Sequence, residues 1–265
     1  MNGSTLALGL TAALAAAGAL SRRGGRGPAF GSRAKKAKLF FPSAIEARRE
    51  AAAARPSVLS DTAFQRWFRG SQVVDEIGEP LVVYHGTEAK FNVFKSEGPH
   101  RGGLLAFFAT EARFAEGYGS YVYPVYLACR DVFDFRVERD ARSMVREFYK
   151  DGGVQDNIEA RRILMGLSNV HPQIQIQSVM DQRYSSHDLT QPLFLEAVLA
   201  GSWDALECDE FVKFLREAGY DAIVLLEHGS VNYAVFEPQQ IKSATGNSGS
   251  FDGDDARISY NRVSQ

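Results

Sequence analysis

Three short stretches of the sequence place polar or aromatic side chains at the ends of apolar runs. The first is Tyr84-His85-Gly86-Thr87, which follows the apolar run Leu81-Val82-Val83. A histidine at the end of a buried strand can present one ring nitrogen to a sugar hydroxyl. The glycine beside it lets the backbone approach a planar ligand closely, and its N–H and C=O match a carboxamide. Taken alone, this stretch is more typical of a histidine satisfied at a strand end.

The second and third stretches contribute aromatic and acidic side chains. Phe107 lies in an apolar run, and Tyr118 ends the Ala-rich and aromatic segment that follows, where its ring can stack on a flat heterocycle. The third stretch runs from Asn232 to Pro238, and Glu227 precedes it at the end of another apolar run. Taken one at a time, both stretches are more typical of ordinary core packing than of a site.

The elements that must hold these residues follow from hydrophobic periodicity and from capping residues. A helix is predicted over 46–55 and ends at Pro56, and a second helix over 62–69 is capped by Ser60-Asp61. Residues 71–75 and 80–85 predict a hairpin. Further strands are predicted over 104–109, 121–128 (with Pro124 at an edge or bulge), 222–226 and 233–236, and a helix capped by Thr110 over 111–118.

The region 138–218 is mostly polar and helical in pattern, with helices predicted over 138–149, 155–167, 193–200 and 209–218. Residues 171–184 are ambiguous, and 185–190 read as a loop. Strands interrupted by such a helical insertion favour an α+β fold over alternating βαβ units.

Composition separates the amino-terminal segment from the rest of the chain. Seven of the 30 basic residues precede the first acidic residue, Glu46, which leaves 23 basic against 32 acidic residues after it. An acidic body argues against nucleic acid as the main partner. Residues 6–20 form an uncharged apolar run of 15 residues, short of the ~20 that a spanning helix needs. We interpret it as a targeting segment for an organelle or the secretory route, with a membrane anchor or a disordered tail as alternatives.

These observations predict three parts. Residues 1–55 are expected to lie outside the fold, 56–243 to form one domain, and 244–265, rich in Gly, Ser, Asn and Asp, to be a polar tail. No spacing of His, Cys, Asp or Glu matches a metal site, so none is predicted. Any membrane contact is expected only through the amino-terminal segment.

In order and spacing, the three stretches resemble the poly(ADP-ribose) polymerase-like branch of ADP-ribosyltransferases. The version they resemble most is found in phage-derived polyvalent proteins and at the end of Mu F-like head proteins. The resemblance extends over residues 64–258. Its other parts are Phe64-Gln65-Arg66-Trp67-Phe68, Gly201-Ser202-Trp203, Ala218-Gly219-Tyr220-Asp221-Ala222-Ile223 and Gln240-Ile241-Lys242-Ser243.

The resemblance implies a split pair of small β-sheets that grip NAD, the substrate, between them. By position, His85 falls on the ribose-binding histidine and Gly86 on the glycine that grips the carboxamide, with Thr87 beside it. Phe107 falls where the family usually has a tyrosine, and Tyr118 falls on the stacking tyrosine. The family's small hydroxyl residue falls at Ala115, which would remove one carboxamide hydrogen bond.

The sequence departs from the family at the catalytic carboxylate. Where the family has a glutamate that bonds the ribose 2′-hydroxyl, this chain has Asn232, and Glu227 lies five residues earlier. Three readings stay open: Glu227 supplies the carboxylate, Asn232 suffices for weak transfer or hydrolysis, or the domain binds without catalysis.

Three functions follow from the resemblance. The first is NAD-dependent ADP-ribosyl transfer or NAD glycohydrolysis with nicotinamide release, where the expected acceptor is a macromolecule, a protein by preference. The second is an inactive module that binds NAD or ADP-ribose. The third is a phage-derived structural or packaging protein that carries the domain.

Overall fold

The structure is a computed structural model that describes residues 42–94, 106–153, 191, 194–195, 198–199, 201, 203–245, 247 and 250–259. Within these residues no helix is both long and apolar enough to cross a membrane. The amino-terminal apolar run lies outside the described residues.

The first helix, α1 (Pro42–Ser60), begins earlier and ends later than predicted. Pro56 lies inside it, so the prediction that Pro56 ends the helix is wrong. A proline costs an interior helix one hydrogen bond, but burial of Ala51 and Val58 against the domain holds both sides of Pro56 in helical conformation. The predicted boundary at residue 55 is therefore also wrong, because α1 is part of the fold.

The second helix, α2 (Thr62–Phe68), forms as predicted. The Asp61 carboxylate accepts hydrogen bonds from the backbone N–H groups of Ala63 and Phe64, at 2.6 and 3.1 Å. Phe64, Trp67 and Phe68 are buried on one helix face. There they pack with Tyr126 and Phe251.

Seven strands of the described residues form one sheet in the order β4-β5-β6-β2-β1-β3-β7. Their bounds are β1 (Val83–Thr87), β2 (Ala106–Ala109), β3 (Tyr121–Leu127), β4 (Val132–Asp134), β5 (Ala222–Glu227), β6 (Ser230–Val235) and β7 (Ile241–Ser243). All neighbouring strands are antiparallel except β4 and β5, which are parallel. The fold is thus a mixture of α and β structure.

The expected split into two sheets is replaced by a narrow junction within one sheet. Strands β1 and β2 share a single partner pair, Tyr84 with Ala109, although both strands continue beyond it. On either side of this junction β1 pairs with β3 over five residues and β2 with β6 over four. The sequence could not reveal that β1 and β2 pair at one position, because the distance between two strands is set by the tertiary structure.

Two further local predictions change. Of the hairpin predicted over 71–85, only a bridge between Val74 and Pro80 forms, and β1 starts later, at Val83. Pro124 is in β3, which lies between β1 and β7, so β3 is no edge strand. The pairing of β7 along β3 begins only at Val125, and the Pro124 carbonyl accepts from the Ala244 N–H at 2.9 Å.

One face of the sheet packs under the helical region. That region contains α4 (Glu138–Lys150), α5 (Trp203–Leu206) and α6 (Asp209–Glu217), and residues 191, 194, 195, 198 and 199 are also helical. Ile223, Leu225 and Ala234 of the sheet are buried against Phe148 and Phe211 of the helices. The helix predicted over 155–167, the ambiguous stretch 171–184 and the loop 185–190 lie outside the described residues, so the insertion as a whole remains a prediction.

The described residues after β7 are packed onto the domain, which corrects the prediction of a polar tail outside the fold for the part of 244–265 that the structure describes. Ala244, Phe251 and Ile258 are buried. The Ser243 N–H donates to the Ile258 carbonyl at 2.8 Å, and the Ile258 N–H donates to the Asn92 carbonyl at 2.7 Å. A Gly- and Asp-rich composition predicted solvation, but Phe251 and Ile258 pack into separate core clusters.

Candidate active site

The end of β1 is covered by the short helix α3 (Ala112–Glu116) and by the turn that follows it. A Cβ atom added to Gly86 would lie 1.6 Å from the Ala115 carbonyl oxygen, and one added to Gly119 would lie 2.0 Å from the Thr87 carbonyl carbon. Both positions therefore require glycine for close backbone approach. The Ala115 carbonyl also accepts from the Tyr118 N–H at 2.9 Å. The packing thus links Gly86 to Tyr118.

The helix predicted to contain Tyr118 ends two residues before it. Glu111 rather than Thr110 occupies the N-cap position, and no side chain caps the helix there. The Thr110 hydroxyl instead donates to the Val231 carbonyl at 3.2 Å. Tyr118 consequently lies in the turn after α3.

His85 is held by its Nδ1 atom, which lies 2.8 Å from the carbonyl oxygen of Phe107. Because a carbonyl only accepts, Nδ1 carries the proton. Burial lowers the pKa of His85, partly offset by this hydrogen bond. The neutral ring then leaves Nε2 as an acceptor, which suits a ligand hydroxyl. The ring packs edge-on against Phe94, and also contacts Phe91 and Phe108.

Glu227 is the centre of a hydrogen-bonded group that joins three of the predicted site residues. The Tyr118 hydroxyl donates to Glu227 Oε1 at 2.9 Å, and Asn232 Nδ2 donates to Glu227 Oε2 at 2.6 Å. Glu227 is 4% exposed and Asn232 is 2% exposed. Burial raises the pKa of Tyr118, and the charge of Glu227 and the hydrogen bond to it raise it further. The tyrosine therefore stays protonated and acts as a donor.

The hairpin between β5 and β6 determines this arrangement. Its two turn residues, His228 and Gly229, have φ values of 47° and 84°. Positive φ at both positions is the type I′ geometry that suits a two-residue hairpin. The turn sets Glu227 opposite Ser230 and Leu225 opposite Asn232. Glu227, Ser230 and Asn232 therefore share one face of the sheet.

The remaining predicted residues are placed differently. Phe107 pairs with Ala234, so its side chain lies on the sheet face of Asn232, where it packs against the helical core. The Thr87 hydroxyl accepts from the Ala89 N–H at 3.2 Å. Phe108, which contacts His85, alternates with Phe107 and so lies on the opposite face. Tyr84 pairs with Ala109, which pairs with Asn232, so His85, the next residue, lies on the face of Phe108 and not on that of Asn232. The link from β1 to the Tyr118–Glu227–Asn232 group is the backbone, where Gly86 approaches Ala115 and the Ala115 carbonyl accepts from the Tyr118 N–H.

Three residues of the neighbourhood were not singled out from the sequence. Ser230 is buried beside Glu227, and only the strand register reveals this. Gly119 is needed for the approach of the turn to β1. Glu116 accepts from the Ser43 hydroxyl at 2.5 Å and from the Ala44 N–H at 3.4 Å, which ties α1 to α3. No local sequence pattern predicts contacts between residues so far apart in the chain.

A cluster of at least three His, Cys, Asp or Glu side chains that could hold a metal ion is not found in the described part of the chain. Cys129 and Cys208 are both buried.

A mixed α/β domain with one seven-stranded sheet among the described residues is consistent with the fold of an ADP-ribosyltransferase. The chain belongs to the family described as ADP-ribosyltransferase in polyvalent proteins, whose sequence profile matches residues 75–251.

Two other comparisons add little. The chain is similar to a solved structure described as the crystal structure of an anti-CRISPR protein, at 14% identity, over 58% of this chain and 88% of that one. The TM-score is 0.27, too low to support an argument. No curated protein matches the chain.

Proposed function

We propose that this protein transfers ADP-ribose from NAD, or hydrolyses NAD, with release of nicotinamide, and that Glu227 supplies the carboxylate. The observation that carries the proposal is the position of Glu227, whose two oxygens accept from Tyr118 and Asn232. Asn232 occupies the usual glutamate position of the family and holds the neighbouring strand's glutamate by its amide. Family membership supports transferase activity in general.

The reaction requires a carboxylate near the sugar. The bond between ribose C1′ and the nicotinamide nitrogen breaks, and its electron pair goes to the nitrogen, which neutralises the pyridinium. The ribose becomes oxocarbenium-like, as in glycoside hydrolysis, and a nearby negative charge stabilises it. An acceptor nucleophile, water or a group on a protein, then bonds to C1′ and loses its proton.

The other side chains have roles that match their geometry. Nε2 of His85, an acceptor in the neutral ring, bonds a ribose hydroxyl. The Tyr118 ring stacks on nicotinamide while its hydroxyl orients Glu227. Gly86 and Thr87 line the end of β1, where the backbone of Gly86 meets the carboxamide, and Phe107 contributes apolar surface. Ala115 has no hydroxyl to offer, so carboxamide binding depends on the backbone.

The proposal is tested by measuring nicotinamide release from NAD by the wild type and by Glu227→Gln. Removing one electrostatic group at the reacting centre typically costs ~10² to 10³ in rate, and we expect a loss of that size. Glu237→Gln is the matched control, because Glu237 follows the end of β6, is exposed and forms an ion pair with Arg216. It should keep the wild-type rate. If Glu227→Gln also keeps it, Glu227 is not the catalytic carboxylate.

A second function is favoured by one observation: both oxygens of Glu227 are engaged within the protein, and the residue is almost fully buried. A carboxylate so satisfied suits a module that binds NAD or ADP-ribose without turnover. A thermal-shift experiment combined with the nicotinamide-release assay separates the two functions, because both predict binding, and ligand at ~100 times its dissociation constant adds about 2.7 kcal/mol. A shift with NAD but no nicotinamide release identifies the binding module.

A further inference from the structure

Ser230 lies beside Glu227 and has a buried hydroxyl without a hydrogen-bond partner in the described part of the chain. The residue is 4% exposed, and its Oγ atom is fully buried. Because Ser230 is the register partner of Glu227, the two side chains lie on the same face of the sheet.

Asn232 presents a second atom of this kind on the same face. Its Nδ2 group donates to Glu227, but its Oδ1 atom is buried and has no partner among the described residues. Asn232 follows Ser230 by two positions on β6, so both atoms flank the Glu227 carboxylate.

Unpaired buried polar atoms are uncommon in native proteins, because each one has lost its hydrogen bonds to water without replacement. The chemistry of this group is specific. The Asn232 oxygen only accepts, the Glu227 carboxylate only accepts, and the Ser230 hydroxyl can accept or donate. Such a set matches a ligand that carries two neighbouring hydroxyl donors.

We propose that Ser230 Oγ and Asn232 Oδ1 bind ribose hydroxyls next to Glu227, so that this face recognises a ribose diol. The inference rests on the proposed function and assigns it two further binding atoms. Ser230 acts on the affinity for the ribosyl group, since one hydroxyl of the diol bonds Glu227 and its neighbour bonds Ser230 and Asn232.

The test is Ser230→Ala, which removes one hydroxyl and no carbon atom. Without ligand, we expect its unfolding temperature to equal or exceed that of the wild type, because an unsatisfied buried group is removed. With ligand, we expect the dissociation constants for NAD and for ADP-ribose to rise about tenfold, the loss of one hydrogen bond. Affinity for free nicotinamide, which lacks ribose, should not change.

Ser71→Ala is the matched control. The Ser71 hydroxyl is satisfied, since it donates to the Leu127 carbonyl at 2.7 Å and accepts from the Cys129 N–H at 3.2 Å. Its loss should lower the unfolding temperature and leave the affinities for NAD and ADP-ribose as they are.

Two results would overturn the inference. One is a Ser230→Ala variant that binds NAD and ADP-ribose as tightly as the wild type. The other is a variant that loses stability without ligand, as Ser71→Ala does, because the hydroxyl would then be structural. If the wild type itself binds neither NAD nor ADP-ribose, both the proposed function and this inference are refuted. If the wild type binds and cleaves NAD and Ser230→Ala has the same affinities for NAD and ADP-ribose, only the inference about ribose is refuted.

Discussion

At the scale of single residues, His85 shows how surroundings select one nitrogen of an imidazole for function. The Phe107 carbonyl accepts a hydrogen bond from Nδ1–H, and the imidazole ring contacts the aromatic rings of Phe91, Phe94 and Phe108. Neither the hydrogen bond nor the ring contacts could be predicted from the sequence, where Phe107 was only matched to a position that usually holds a tyrosine. A neutral histidine with a free acceptor is what a ribose hydroxyl needs.

Burial of His85 makes stability depend on pH. Its pKa is lowered in the folded protein from the ordinary value of 6.5. As pH falls below 6.5, His85 binds a proton in the unfolded chain but stays neutral in the folded chain. Stability present above 6.5 is therefore lost as pH falls through the lowered pKa. We expect urea unfolding to show a larger loss between pH 7.5 and pH 5.5 for the wild type than for His85→Gln.

His228→Asn serves as the control for this measurement. His228 is exposed in the β5–β6 turn with a positive φ, which asparagine also tolerates. Its pH dependence should follow the wild type. Equal losses for the wild type and His85→Gln would show that His85 is not a neutral buried histidine.

At the scale of elements, docking of α3 and its turn against β1 builds the site. Gly86 and Gly119 leave no room for side chains at the contact, and Tyr118 is directed from this turn toward the end of β5. From the sequence, Gly86 was expected only to contact a ligand. The structure adds a packing requirement at the same position, so a substitution there changes stability whether or not a ligand binds.

Replacing Gly86 by alanine should therefore destabilise the protein even without NAD. The new methyl group would overlap the backbone carbonyl of Ala115, which cannot rotate away. Overpacking of this kind costs typically 1–3 kcal/mol, and with backbone in the way we expect about 3 kcal/mol in chemical unfolding. Gly253→Ala is the control, since its methyl group would meet only Trp67 Cδ1 at 3.8 Å. Similar unfolding curves for both variants would contradict the observed close approach.

At the scale of the whole molecule, both ends of the described chain are part of the domain. Ala51 and Val58 of α1 and Phe251 of the last segment belong to one buried cluster, and Ile258 belongs to another. Lys242 is buried on β7, and its ammonium donates to the carbonyls of Asp255 and Arg257. Burial lowers the pKa of Lys242, so these carbonyls stabilise a charged form that the core disfavours.

Two shortened chains test these boundaries. A chain of residues 42–259 keeps every contact named above and should unfold cooperatively like the full chain. A chain of residues 56–243 loses Ala51, Phe251 and Ile258, and each fully buried large apolar side chain is worth about 1.5–3 kcal/mol. Phe251 and Ile258 are the large side chains among them, so we expect the shorter chain to lose about 3–6 kcal/mol or to be isolated unfolded, as measured by urea unfolding and circular dichroism. Equal stability of the two chains would support the predicted domain boundaries, 56–243.

Much of the fold could be predicted because it depends on neighbours along the chain. The cap at Asp61, the helices α4 and α6, and strands β3 and β5 lie close to where periodicity placed them. Family membership likewise followed from the order and spacing of short stretches. Alanine-rich α1 was mistaken for a linker, because alanine favours helix whether or not it is buried.

The sequence by itself placed Glu227 at the end of one strand and His85 on another, since strands depend on local hydrophobic pattern, although β1 ends at Thr87 and not at His85 as predicted. It left the choice between Glu227 and Asn232 open. The folded chain brings the two together, because a two-residue turn sets the register of β5 and β6 and the docking of α3 carries Tyr118 to the same carboxylate. Hydrogen bonds between residues 109 positions apart depend on three-dimensional packing, and no local pattern contains that information.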